Sequence, residues 1–291
     1  MSRKAAAQRF TAGLREALPQ VDVLFRLALE DLIEEAQKPQ LMRLTQDLRI
    51  EGLERHVQLA TVGGRRPRAE VFVVSREALR LFYMTISGEA EVAPDGVCLH
   101  LPTEAPVVVV SANVAARAVN GVSPALVHEL VHATQPKTPR PRFHDDPEAQ
   151  LQANHWADFI CEGVTELLTE VRTGSTYGTY ITEPIVLDEL IAGLPGGREE
   201  LLVGLSETEW DERARKLAEL LYGDPEREAD VWDLCAACES AARGVIGDLR
   251  SDGYRGWRER EPQMRRSIRD AIGRALAGTK GKAAAEAPLA A

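Results

Sequence analysis

Apolar residues fall at Val21, Leu24, Phe25, Ala28, Leu29, Leu32 and Ile33, the three- and four-residue spacing of one helix face. Residues 1–60 read as helical, with Pro19 and Pro39 as breaks. Gly63-Gly64-Arg65-Arg66-Pro67 reads as a loop and closes a helical N-terminal region, residues 1–62. The period then changes. Glu70 to Val74, Val97 to Leu101 after the turn Pro94-Asp95-Gly96, and Val107 to Val110 after Pro106 are short and rich in β-branched residues, and predict a small sheet. Ser75 to Ile86 between them suits a helix.

Ser123-Pro124 is a helix start, with Ser at the N-cap and Pro at the first helical position. This helix runs through His128 and His132 and stops near Pro136. Residues 136–147 hold four prolines and read as a loop. Asp146-Pro147-Glu148 starts a second helix, from Glu148 to about Arg172. A Gly-rich loop, Thr173 to Thr182, follows. Beyond Pro184 the pattern is helical. Ser206 with Glu209 forms a capping-box pattern before an amphipathic run to Tyr222, and Pro225 opens a helix carrying Trp232, Cys235 and Cys238. Trp156, Trp210, Trp232 and Trp257 are spaced like core anchors. The Ala-rich stretch 280–291 is low in complexity and reads as disordered. The expected fold is α+β and mostly helical. A central region at 63–182 combines the small sheet with the two helices that start at Ser123 and Asp146, and a C-terminal helical subdomain spans 183–279.

Composition narrows the function classes. The chain has 291 residues, 44% hydrophobic residues and a net charge of -10. The acidic balance argues against a nucleic-acid partner, which needs a basic face. No apolar run of membrane-spanning length occurs, and the first residues lack the apolar core of a secretory signal. Four cysteines, Cys98, Cys161, Cys235 and Cys238, are too few and scattered for a disulfide scaffold, so the expectation is a cytoplasmic protein with free thiols. Cys235-Ala236-Ala237-Cys238 has redox or metal spacing but no second pair, and reads as helix interior. The arginines from Arg255 to Arg274 alternate with acids and describe a solvated helix.

The strongest chemical signal is His128-Glu129-Leu130-Val131-His132. Residues four apart on a helix are offset by about 40° and about 6 Å, so both imidazoles project from one face and can share one ion. Zinc takes such nitrogens at about 2.0–2.1 Å. Glu129 projects beside the metal, where it can move protons. A catalytic zinc has three protein ligands and an open position. His144, His155, Asp158 and the pair Glu162/Glu166 are the downstream candidates. The extended pattern with a glycine and a third histidine is absent, because Gln135 and Thr138 stand at those positions. Glu162 and Glu166 are four apart and share a face, so one can ligate while the other accepts a hydrogen bond from a ligand histidine.

With the segment Cys161-Glu162-Gly163-Val164-Thr165-Glu166, residues 95–182 resemble the gluzincin metallopeptidases, both thermolysin-like and neutral-aminopeptidase-like. In the former the second helix reads Asn-Glu-x-x-Ser-Asp; in the latter the ligand glutamate is followed by Gly. Departures are the long gap from His132 to Glu162, Cys161 in place of Asn, and the lack of an aminopeptidase exopeptidase motif. The resemblance implies Glu162 as third ligand and Glu166 as partner of a ligand histidine, His128. Such enzymes use a Tyr or His as electrophile. Tyr177, Tyr180, His144 and His155 are within reach, with Tyr180 favoured because its loop follows the ligand helix. The resemblance makes 63–182 a metallopeptidase core with a two-helix zinc site, its metal expected in the cleft between the small sheet and the helical subdomain. The expected activity is hydrolysis of peptide or protein substrates with one zinc per chain, Glu129 as general base and no membrane partner. The alternative is a catalytically degenerate zinc-binding module acting in interaction or regulation.

Overall fold

A mixed three-stranded sheet lies beside the helix that carries His128 and His132. The structure, a computed structural model, describes residues 23–87, 95–100, 105–115, 121–136, 147–175, 180–246 and 257–286. In chain order the first elements are α1 (Val23–Ala36), α2 (Pro39–Glu51), α3 (Leu53–Leu59), β1 (Glu70–Val74), α4 (Arg76–Ser87), β2 (Gly96–Leu99), β3 (Val107–Ser111), α5 (Ala112–Ala115) and α6 (Pro124–His132). The later ones are α7 (Pro147–Thr173), α8 (Thr182–Ile191), α9 (Arg198–Glu207), α10 (Arg213–Tyr222), α11 (Glu228–Ile246) and α12 (Trp257–Glu286), with 3-10 turns at Trp210–Glu212 and Pro225–Arg227. The chain is therefore α+β and mostly helical. Among the described residues no helix is long and apolar enough to cross a membrane. Two compact units emerge: residues 1–137 with 168–179, and residues 138–167 with 180–291.

In the first unit β1 runs parallel to β3 and β2 runs antiparallel to it, with Glu70 opposite Val107 and Gly96 opposite Val110. All five residues of β3 are buried, which is why its sequence is a continuous apolar run rather than an alternation. On one face Phe72, Val74, Val97, Leu99, Val107 and Val109 pack with Leu29, Leu32 and Ile33 of α1 and Leu79 and Phe82 of α4. The pleat turns Gly96, Val108 and Val110 to the other face, where Gly96 meets α6. The outer edge of β1 is covered by α2: the Val73 amide donates to Thr45 Oγ1 at 3.2 Å, and Arg49 Nη2 donates to the Val71 carbonyl at 3.4 Å. Among the described residues β2 has a strand partner on its β3 side alone.

The loop expected at 63–67 contains a tight turn. Val62 and Arg65 exchange both backbone bonds around Gly63 (φ 54) and Gly64 (φ 76), the positive pair that a type I′ turn demands. Pro39 does start a new helix; Pro19 and Val21 lie outside the described residues. β2 begins one residue earlier than expected and β3 ends one later, at Ser111.

In the second unit Leu202, Leu205, Leu217, Val231, Leu234, Met264 and Ile268 are buried. The capping box expected at Ser206 and Glu209 does not form. Ser206 lies inside α9 and is buried, because Leu202 and Leu205 carry that helix's apolar face through it. Arg213 Nε instead donates to the Leu205 carbonyl at 3.0 Å, placing a cation at the C-terminal end of α9. Of the four tryptophans Trp156 is buried, while Trp210, Trp232 and Trp257 are half-buried. Cys235 and Cys238 are in the helix interior as expected; burial pushes both thiols up, that of Cys238 to about 12. α12 continues to Glu286, inside the Ala-rich stretch; residues 287–291 are not described.

Candidate metal centre

The site helix α6 is fixed at its N-terminus from two directions. Ser123 is the N-cap and its Oγ accepts from the Leu126 amide at 3.4 Å, while Pro124 occupies the first turn, where no amide donor is needed. The Ser123 amide, which the helix cannot satisfy, donates to Nε2 of His56 on α3 at 2.9 Å. Nδ1 of the same ring lies 2.7 Å from the Gly52 carbonyl, an acceptor, so the ring is neutral with its proton on Nδ1. His56 is 2% exposed, and burial pushes its pKa below the ordinary histidine value.

Every residue of α6 from Ala125 to Val131 is buried, so His128 and Glu129 are held inside the protein rather than on its surface. His132, at the helix end, is half-buried. The Nε2 atoms of His128 and His132 face each other at 3.2 Å. Two nitrogens about 2.0–2.1 Å from one tetrahedral ion stand about 3.3–3.4 Å apart. The same separation suits one ring donating to the other's lone pair, so either way the two imidazole nitrogens converge on one point. Glu162 of α7 joins them: one ligand atom from each of His128, His132 and Glu162 lies within 4.8 Å of the others. Two imidazole nitrogens and one carboxylate oxygen form a donor set that can hold a metal ion, and it leaves a fourth position for another ligand. Among the described residues this is the one group of histidines, cysteines and acids so arranged.

The other candidates separate clearly. Asp158 is exposed and accepts from the Trp210 indole at 2.9 Å; His155 is exposed and stacks edge-on against Trp156. Neither belongs to the donor group. Glu166, one turn beyond Glu162, is fully buried, and Thr165 and Thr169 beside it are buried as well. Tyr180 is half-buried just before Ile181, the N-cap of α8. His144, Tyr177 and nearly all of the proline-rich link 136–147 lie outside the described residues.

Two glycines at this site have a steric reason. A Cβ at Gly163 would lie 3.0 Å from the Glu183 carbonyl oxygen and 3.3 Å from Leu187 Cβ, so the absent side chain lets the first turn of α8 pack directly beside Glu162. Burial pushes the Glu183 carboxyl above the usual range, and the negative charges of Glu239 and Glu162 add to the effect. A Cβ at Gly96 would lie 2.7 Å from Glu129 Cγ. Sequence reasoning passed over His56 and treated Gly96 only as part of a turn. A glycine opening a strand does hint at a close approach, but nothing local marks His56.

Comparison of the chain with models of known protein families, with characterised proteins and with solved structures gives no match. The class of protein is therefore read from the donor group and its surroundings.

Proposed function

We propose that this chain is a zinc metallopeptidase of gluzincin type. The observation that carries the reading is the convergence of His128, His132 and Glu162, with the buried carboxylate of Glu129 next in sequence to a ligand. A purely structural site has no need of that carboxylate. When bound, zinc supplies Lewis acidity and lowers the pKa of water toward about 7. Glu129 takes the proton of the attacking water and passes it to the leaving amine. Tyr180 donates to the developing oxyanion. Glu166 accepts the free ring N–H of a ligand histidine and so fixes its tautomer. Among the described residues β2 is paired with β3 alone, and its other edge would offer backbone donors and acceptors to an extended peptide.

The test is a peptide-library assay on wild type and Glu129→Gln, with zinc measured by elemental analysis. The variant keeps the side-chain shape and loses its basicity. It should fold, retain about one zinc and lose hydrolysis by the roughly 10²–10⁴-fold of a general base. A Glu129→Gln protein as active as wild type would overturn the mechanism. A wild type that binds zinc and cleaves no peptide would favour a module that uses the metal without catalysis.

A further inference from the structure

Gly96 is the first residue of β2 and is buried. Its backbone is not in the left-handed region, unlike Gly63, Gly64 or Gly121, so its conformation does not call for glycine. Its surroundings do. A Cβ there would meet Glu129 Cγ at 2.7 Å, Oε1 at 3.0 Å and Cδ at 3.2 Å. Real Cβ atoms essentially never come within 3.0 Å, so the Glu129 side chain would have to move. It has little room to do so: Glu129 is 5% exposed, and its helix neighbours Leu126, Val127, Leu130 and Val131 are packed at 0–1% exposure. The strand is equally constrained, since Gly96 is paired opposite Val110 and the neighbouring Asp95 carbonyl accepts from the Ser111 amide at 2.8 Å.

We propose that Gly96 is a positioning residue for Glu129: the missing side chain at the start of β2 creates the space in which the general-base carboxylate stands. The proposal rests on the metallopeptidase reading, and it makes a claim that reading does not contain. The strand beside the helix, not the helix alone, sets where the base sits. The helix spacing places the residue near the metal; β2 decides which way its carboxylate leans.

The experiment compares wild type, Gly96→Ala, Glu129→Gln, the Gly96→Ala/Glu129→Gln double variant and Gly96→Ala/Glu129→Asp. Gly204→Ala, at a glycine with nothing within 4 Å of the added carbon, is the control. Metal content and thermal unfolding are measured first, then kcat and KM across pH. The visible spectrum of the cobalt-loaded proteins reads the ligand geometry without turnover. Gly96→Ala should keep its metal and lose about 10–100-fold in kcat with little change in KM. It should unfold at a lower temperature than wild type, keep the wild-type cobalt spectrum, and cost nothing further in kcat in the Glu129→Gln background. If Gly96→Ala does not fold, the shorter Asp at 129 should restore folding by vacating the space. Thermal unfolding of Gly96→Ala as high as that of wild type and Gly204→Ala overturns the proposal, because the added carbon then meets no obstacle, even if wild type cleaves no peptide, and so separates this failure from that of the metallopeptidase reading. Loss of metal in step with activity, or misfolding that Glu129→Asp does not relieve, overturns it as well.

Discussion

Glu162 and Glu166 stand one helical turn apart on α7, yet one is half-buried within the donor group and the other is fully buried. Their substitutions should therefore separate. Glu162→Ala removes a ligand and should nearly abolish zinc binding, whereas Glu166→Ala should weaken it by about 10–100-fold; competition with a chromophoric chelator reads both. A second prediction concerns His56. The folded imidazole is held neutral, with a pKa below its unfolded value, so its contribution to stability is complete above about pH 6.5 and is lost as pH falls below it. Protonation would place an N–H against the Ser123 amide. His56→Ala should cost about 1–3 kcal/mol at neutral pH by orphaning that amide and removing one of the two donors to the Gly52 carbonyl. It should also flatten the decline in urea-unfolding stability between pH 7 and 5. The two histidines were legible as a pair because helical spacing is a local code, whereas spacing left Glu162 open against Glu166, Asp158 and His155 and the resemblance to the gluzincins singled it out. His56 was not, because it acts on a residue 67 positions away.

Helix starts carried the most readable local information. Ser123-Pro124 and the proline at 147 each begin a helix where the chain says so; at the first, the cap is satisfied within three residues, by the Leu126 amide donating to Ser123 Oγ. Ser206 carries the same signature and caps nothing, since burial of Leu202 and Leu205 outweighs about 1 kcal/mol of cap. Packing between elements was the illegible part. Arg265 of α12 donates to Asp188 at 2.8 Å and Glu189 at 3.0 Å on α8, and to Glu261 at 2.9 Å on its own helix. Its fork joins α8 to α12 through residues about 76 positions apart. Arg265→Lys cannot reproduce three directed bonds and should lower stability by about 1 kcal/mol, screened by partial exposure, with metal affinity unchanged. Gly163→Ala should behave differently. Its added carbon meets the Glu183 backbone, so repacking should cost about 1–3 kcal/mol and weaken zinc binding together, read by thermal unfolding and chelator competition.

At the scale of the molecule, a ligand held by the folded chain alone adds to its stability. Zinc at about 100 times its Kd should raise the unfolding free energy by about 2.7 kcal/mol, and a chelator should reverse this in calorimetry; His128→Ala/His132→Ala should show no response. The buried thiols of α11 offer a separate measure. Cys235 and Cys238 are 1% and 0% exposed, and burial holds both as thiols, so neither can meet an alkylating reagent in the closed protein. With Cys98 and Cys161 replaced by Ser and Ala, any modification must pass through an opening of the helical unit. The labelling rate then becomes a clock for that opening, each tenfold of protection corresponding to about 1.4 kcal/mol. Leu234→Ala should speed the clock by leaving a void against α11, read as faster labelling than in the parent protein with Cys98 and Cys161 replaced.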